Sequence, residues 1–176
     1  MHVVFDEFWK RPEMDRLERA HSFHDLANIA IQFILPRMAI TQKEVIQLCG
    51  PISTGGLGTK EANIKRFKTA IRIAKRKNLL VFDQMPFERA IAKLSAQHAA
   101  RGEYCDEILT VFYAGVFSSK MISKALFSPD WHTSKGAAWG REHLTKIGLP
   151  IEDYPADWMA EVNHIMAAEV DPHHCG

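Results

Sequence analysis

The chain has 176 residues, of which 47% are hydrophobic, 24% charged and 10% aromatic, a profile that excludes disorder, collagen-like repeats and a disulfide-stapled miniprotein. Twenty-two Lys and Arg stand against twenty-one Asp and Glu, a formal net charge of +1, without the basic excess that drives binding to a nucleic-acid polymer. Cys49, Cys105 and Cys175 form no C-x-x-C pair, Asp6 and Glu7 interrupt the N-terminus, and no apolar run reaches the roughly 18 residues a membrane helix needs; the expectation is a cytoplasmic protein with reduced thiols and no membrane partner.

The first forty residues read as helix. Leu17, Ala20, Phe23, Ala27, Ala30, Ile31 and Ile34 make a stripe at helical spacing, with a break near His21 to Asp25 and a stop at Pro36. A short apolar run, Glu44 to Cys49, then reads as a buried strand feeding the glycine-rich segment Gly50 to Gly58. A basic amphipathic helix from Lys60 to Lys77 follows, stopped at Asn78, before a second strand, Leu79 to Phe82. Pro86 opens a helix ending near Gly102. Asp106 to Phe117 is helical by position, although its β-branched and aromatic residues leave a strand open.

Ile122 to Phe127 reads as a third strand. Ser134 caps a helix running to Ile147, Gly148 ends it, Leu149 to Ile151 forms a short last strand, and a C-terminal helix carries Trp158, Val162 and Ile165. Alternating strand and helix predicts an α/β fold with a parallel sheet flanked by helices, and ligands at the carboxyl ends of its strands. The domain reading is an N-terminal helical extension over 1–42, an α/β domain over 43–152, and a helix and tail over 153–176.

Two strand-end loops are candidate sites. In the first, Gly50, Pro51, Ser53, Gly55 and Gly56 follow the first strand, where glycine lets backbone N–H groups approach an anion near a helix N-terminus. The spacing matches neither a P-loop nor G-x-G-x-x-G, and a plain left-handed turn is the alternative. In the second, Asp130 to Glu142, Ser134 and Gly136 open a helix; the alternative is that Ser134 is only an N-cap and Glu142 a solvated carboxylate. At the second strand's end, Asp83 could hold a sugar hydroxyl, as could Glu88, although an acidic residue in a first helical turn needs no ligand. Trp131 is placed to contact a base, Trp139 to pack in the core or an interface.

A strand ending in Gly50-Pro51-Ile52-Ser53-Thr54-Gly55-Gly56, a helix carrying Asn63 and Phe67, a second strand ending near an acidic residue, and a third followed by Asp130-Trp131-His132-Thr133-Ser134-Lys135-Gly136-Ala137 resemble the nucleoside 2-deoxyribosyltransferase superfamily, which includes deoxynucleotide N-glycosidases. The resemblance covers about Lys43 to Ile151. It implies a flavodoxin-like (Rossmann-like) domain, usually a homo-oligomer such as a dimer, that cleaves or exchanges the N-glycosidic bond of a nucleoside or nucleotide without a cofactor.

In that family a glutamate early in the helix after the third strand attacks the sugar, typically within S-x-G-x-G-x-E. Ser134, Gly136, Gly140 and Glu142 meet this pattern only with two extra residues between the glycines. Counting back from Gly148 instead places Gly140 at the glutamate position. The resemblance thus implies Glu142 as nucleophile, with Asp130 or Asp83 as acid and base-orienting group, Asn63 among the binding residues, or else a nucleotide-binding or sensing protein without a nucleophile. A carboxylate beneath C1′ and an acid for the leaving base are what an oxocarbenium-like transition state requires. Helix geometry turns Glu142 about 120° from Gly136.

His164, His173, His174 and Cys175 match no zinc signature, so no metal is expected. Lys75, Arg76 and Lys77 read as a solvated face, and Cys49 as a small hydrophobe. A pure interaction module is the remaining alternative, should the cleft be filled by the chain's own side chains.

Overall fold

A computed structural model of the chain describes residues 7–170. The chain forms two compact units: the first holds the chain up to Val45 together with Phe82–Ser123, the second Ile46–Val81 and the chain from Lys124 onward.

The second unit contains the sheet. Strands β1 (Val45–Cys49), β2 (Leu80–Val81), β3 (Lys124–Phe127) and β4 (Ile151–Asp153) form a four-stranded parallel sheet in the order β2-β1-β3-β4, so the fold is α/β, as the strand–helix alternation predicts. Gln47 pairs with Ala125, Cys49 with Phe127, and Phe127 with Asp153, which aligns the carboxyl ends of the three strands. Val45 to Leu48 are all buried, as expected for a central parallel strand covered on both faces.

Three helices of this unit flank the sheet: α4 (Lys60–Arg76), α7 (Lys135–Ile147) and α8 (Ala156–Val170). Leu126 shares a small cavity with Phe67 and Ala70 of α4 and Met159 of α8. Its neighbour Phe127 points the other way, toward Gly140 of α7, because successive strand residues face opposite sides. The Tyr154 hydroxyl donates to the Ala70 carbonyl at 3.0 Å, satisfying a buried phenol; burial shifts its titration well above the ordinary tyrosine range. Ser134 Oγ accepts from Ala137 N–H, and Asn78 and Gly148 take left-handed conformations after their helices, as the sequence predicts; Thr59 Oγ1, accepting from Ala62 N–H, caps α4.

The first unit contains α1 (Arg11–Glu18), α2 (Phe23–Ile29), α3 (Leu35–Ala39), α5 (Glu88–Ala100) and α6 (Ala114–Ser118). Its core is aromatic: the Phe87 ring lies 4.9 Å from that of Trp9 and 4.8 Å from that of Phe112. Ser22 Oγ accepts the Asp25 N–H while the Asp25 carboxylate accepts from Ser22 N–H, a capping box that splits α1 from α2 at the expected break.

One expectation fails here. Pro36 does not stop the helix, which runs on to Ala39. A π turn over Ala30–Ile34, with Leu35 N–H bonded to the Ala30 carbonyl, widens the backbone just before the proline, whose ring would crowd a regular α turn. Asp106 to Phe117 is helical, as its position predicts, and not a strand: a second π turn over Ile108–Tyr113 leads into α6, with Leu109 and Phe112 buried.

Candidate functional site

The carboxyl ends of β1 and β3 carry the two loops singled out in the sequence, and the second unit brings them together. After β1 the chain turns through Gly55 and Gly56, both left-handed with φ of +67° and +63°. Asn63, buried in the first turns of α4, fixes this loop from beneath: its Nδ2 donates to the carbonyls of Ile52 (3.2 Å) and Gly55 (3.0 Å), and its Oδ1 accepts the Leu57 N–H (2.8 Å).

After β3 the chain makes one 3-10 turn, Trp131–Thr133, and enters α7 at Ser134. The two loops clasp each other. Thr133 Oγ1 accepts the Gly56 N–H at 2.8 Å, Thr54 Oγ1 accepts the Lys135 N–H at 3.1 Å, and the Thr54 hydroxyl reaches Ser134 Oγ at 3.5 Å. The close approach depends on glycine: a Cβ on Gly55 would lie 2.1 Å from the Thr133 carbonyl oxygen, and one on Gly50 would lie 2.5 Å from Ser128 Oγ.

This arrangement assigns the loop amides to the protein itself. The N–H groups of Gly56 and Leu57, and those of Lys135 and Ala137 at the start of α7, bond to Thr133, Asn63, Thr54 and Ser134. In this conformation they are not offered to an anion. Ser134 is buried and serves as N-cap; Pro51 is buried, Ser53 is exposed and Gly136 half-buried.

Asp130 lies between the loops. Its Oδ2 accepts from Arg66 Nη2 at 2.6 Å and its Oδ1 from Ser128 Oγ at 2.9 Å. Both oxygens are therefore engaged, and the Arg66 and Asp130 side chains are only 12% and 25% exposed. Arg66 also lines, with Pro51, Cys49, Ser128 and Tyr154, a cavity of about 20 Å³ at this end of the sheet. That space suits a water molecule or two, far below the roughly 300 Å³ of a small-molecule pocket. Burial pushes the Cys49 thiol up to about 12, so it stays protonated and unreactive at neutral pH.

Glu142 lies in the middle of α7 with its side chain 68% exposed, and accepts from Lys146 Nζ at 2.7 Å. This contact holds its carboxyl below the usual range. The buried face of α7 is made by Ala137, Gly140 and Leu144, so Gly140, not Glu142, is directed at the sheet. Between them in sequence, the Arg141 guanidinium lies 4.7 Å from the Trp131 ring centre and 5.2 Å from that of Phe127. One face of the half-buried Trp131 is thus covered by a cation. Trp139 stacks on His143 at 4.6 Å.

Asp83 and Glu88 belong to the first unit. Asp83 Oδ1 accepts the Met85 N–H at 2.9 Å, and its carbonyl accepts from Trp9 Nε1 at 3.3 Å. Glu88 opens α5, and its charge helps to raise the half-buried Tyr104 phenol to about 12, mainly an effect of burial. Among the described residues no group of three or more His, Cys, Asp and Glu is placed to hold a metal ion; His173, His174 and Cys175 lie outside the described residues. No helix among the described residues is long and apolar enough to cross a membrane.

Arg66, Thr54 and Thr133 are the site residues that sequence reasoning passed over. Arg66 was legible in principle: with Asn63, Phe67 and Ala70 it repeats at the i, i+3, i+4, i+7 spacing of an inward helix face, whereas Lys65 and Lys68 fall outside it. Neither a family model, a curated protein nor a solved structure matches the chain.

Proposed function

We propose that the chain is a nucleotide-binding protein with a nucleoside 2-deoxyribosyltransferase-like α/β unit that binds without cleaving the N-glycosidic bond. One observation carries this reading: the only acidic residue of α7, Glu142, is solvent-facing and paired with Lys146, while the sheet-facing position two residues earlier is Gly140. Transfer and hydrolysis both need a carboxylate beneath C1′, and Asp130, the carboxylate between the two loops, has both oxygens engaged by Arg66 and Ser128.

Binding at the carboxyl edge of a parallel sheet is the general expectation for open α/β folds. Trp131 and the glycine loop supply a stacking surface and a close backbone approach. The 20 Å³ cavity requires the two loops to part when a nucleotide enters. The clasp that joins them consists of three hydroxyl-mediated contacts, each worth only about 1 kcal/mol.

The alternative is the enzymatic reading, a transferase or N-glycosidase using Glu142. The two readings separate in one comparison. Purified protein is incubated with deoxynucleosides and their 5′-monophosphates, alone and with added free bases, beside Glu142→Gln. Binding without any released or exchanged base supports the proposal; turnover by the wild type that disappears in Glu142→Gln establishes the enzyme instead.

A further inference from the structure

The cavity at the carboxyl edge is walled by the two clasped loops, through Pro51 and Ser128, and on another side by α8, through Met159. The loops hold each other by hydrogen bonds, whereas α8 is held differently. Among the described side chains of this 15-residue helix only Met159 and Val162 are buried. The packing beneath Met159 is incomplete, since the cavity separates it from Phe67 and Ala70 of α4 and Leu126 of the sheet.

Ion pairs at the two ends of the helix supply the other contacts to α4. Lys65 Nζ lies 2.8 Å from Glu169 Oε2, and Arg76 bonds to Glu161, whose carboxylate also has Lys77 Nζ at 3.7 Å. Each of these five side chains is at least 37% exposed. Exposed pairs of this kind contribute little singly and are screened by salt.

The chain before α8 is fixed. Tyr154 N–H donates to the Phe127 carbonyl at 2.8 Å, and the Tyr154 hydroxyl to the Ala70 carbonyl at 3.0 Å. Pro155 comes next, and its carbonyl already accepts from Met159 N–H in the first turn of α8. Any movement of α8 as a body therefore pivots at Pro155 and leaves Tyr154 and β4 in place.

We propose that α8 is a salt-released lid: it swings away from α4 about Pro155 while the rest of the second unit stays folded, and carries Met159 out of the carboxyl-edge cavity. Local openings fall on segments with few buried contacts and many solvent-exposed ones, as α8 has. Ionic strength then controls access to the cavity. The lid is independent of which ligand that edge binds.

The test is hydrogen exchange and peroxide oxidation of the full chain at about 0.1 M and about 1 M salt, between which the screening length falls from about 10 Å to about 3 Å. Amides of residues 160–166 should exchange about ten-fold or more faster than those of 67–74 in α4. High salt should speed them several-fold further and leave α4 unchanged. Met159 should be oxidised with the same salt dependence, and Met38, buried in the first unit, should not. Glu161→Gln combined with Glu169→Gln should show the high-salt rates already at low salt and lose the response to salt. Glu142→Gln, whose carboxylate pairs within α7, should behave as the wild type.

Exchange of 160–166 at the rate of 67–74 would show that α8 opens only with the whole unit, and would overturn the proposal. Fast exchange that neither salt nor the two glutamines alter would do the same, because the ion pairs would then hold nothing. So would a salt-dependent α8 whose Met159 is oxidised no faster than Met38, since the helix would loosen without uncovering the cavity.

Discussion

Gly55 meets Thr133 so closely that a single added methyl group would sit 2.1 Å from the Thr133 carbonyl oxygen and 2.5 Å from its hydroxyl. The contact joins the loop after β1 to the loop after β3, the two ends of the site. Gly55 also has φ +67°, so an alanine there meets both backbone strain and a backbone atom that cannot move aside. Gly55→Ala should cost about 2–4 kcal/mol of unfolding free energy in urea titration. Gly58→Ala, at φ +89° with nothing within 4 Å, should cost only about 1 kcal/mol, and equal losses at the two positions would count against the clasp.

Asn63 spends both ends of its amide on the glycine loop. Asn63→Ala leaves the Leu57 N–H and two carbonyls without their partner, at about 2–3 kcal/mol. Asn63→Asp should be no better, because a carboxylate oxygen replaces the donor that faces the carbonyls of Ile52 and Gly55. Hydrogen exchange should show the Leu57 amide losing protection in both variants.

Gly140 gives the opposite prediction. It is buried within α7, yet the nearest atom to an added Cβ would be Phe127 Cζ at 3.9 Å, ordinary contact. Gly140→Ala should therefore stabilise the protein by about 0.5–1 kcal/mol, the helix-propensity gain. A destabilised variant would mean that the space beside Phe127 is not free in solution.

Acid should weaken the first unit through Glu13. This carboxylate is 2% exposed and bonds to Arg37 Nη2 at 2.7 Å, and the guanidinium holds its titration below the ordinary value of 4.5. The unfolded chain therefore takes up a proton more readily than the folded one. The stabilisation is fully present above about pH 4.5 and is lost as pH falls through the lower folded value. Glu13→Gln should lower stability at pH 7, by about 1–3 kcal/mol, and flatten the loss between pH 5 and pH 3 measured by urea titration, roughly the window in which such carboxylates take up protons.

The fold was legible where local chemistry and global packing agree. The run Val45 to Cys49, the cap Ser134 and the stops Asn78 and Gly148 stand where periodicity and turn residues put them. The helix running through Pro36 was not, because a π turn relieves the local conflict by changing the hydrogen-bond register, which residue spacing does not encode.

The site was legible in part. Glycines and a capping serine after two parallel strands mark where the loops are, but the same residues serve a ligand or each other equally well. Only coordinates show the Gly56 and Lys135 amides turned onto Thr133 and Thr54. Arg66 was hidden in a basic run of α4, and the outward direction of Glu142 follows only from which face of α7 packs on the sheet.

The most direct measurement is equilibrium dialysis of the purified protein against mixed deoxynucleoside 5′-monophosphates, with both chambers then resolved by chromatography. Enrichment of at least one monophosphate on the protein side, recovered intact with no free base, is the predicted result. Equal concentrations in the two chambers, or the appearance of free base, would contradict the account.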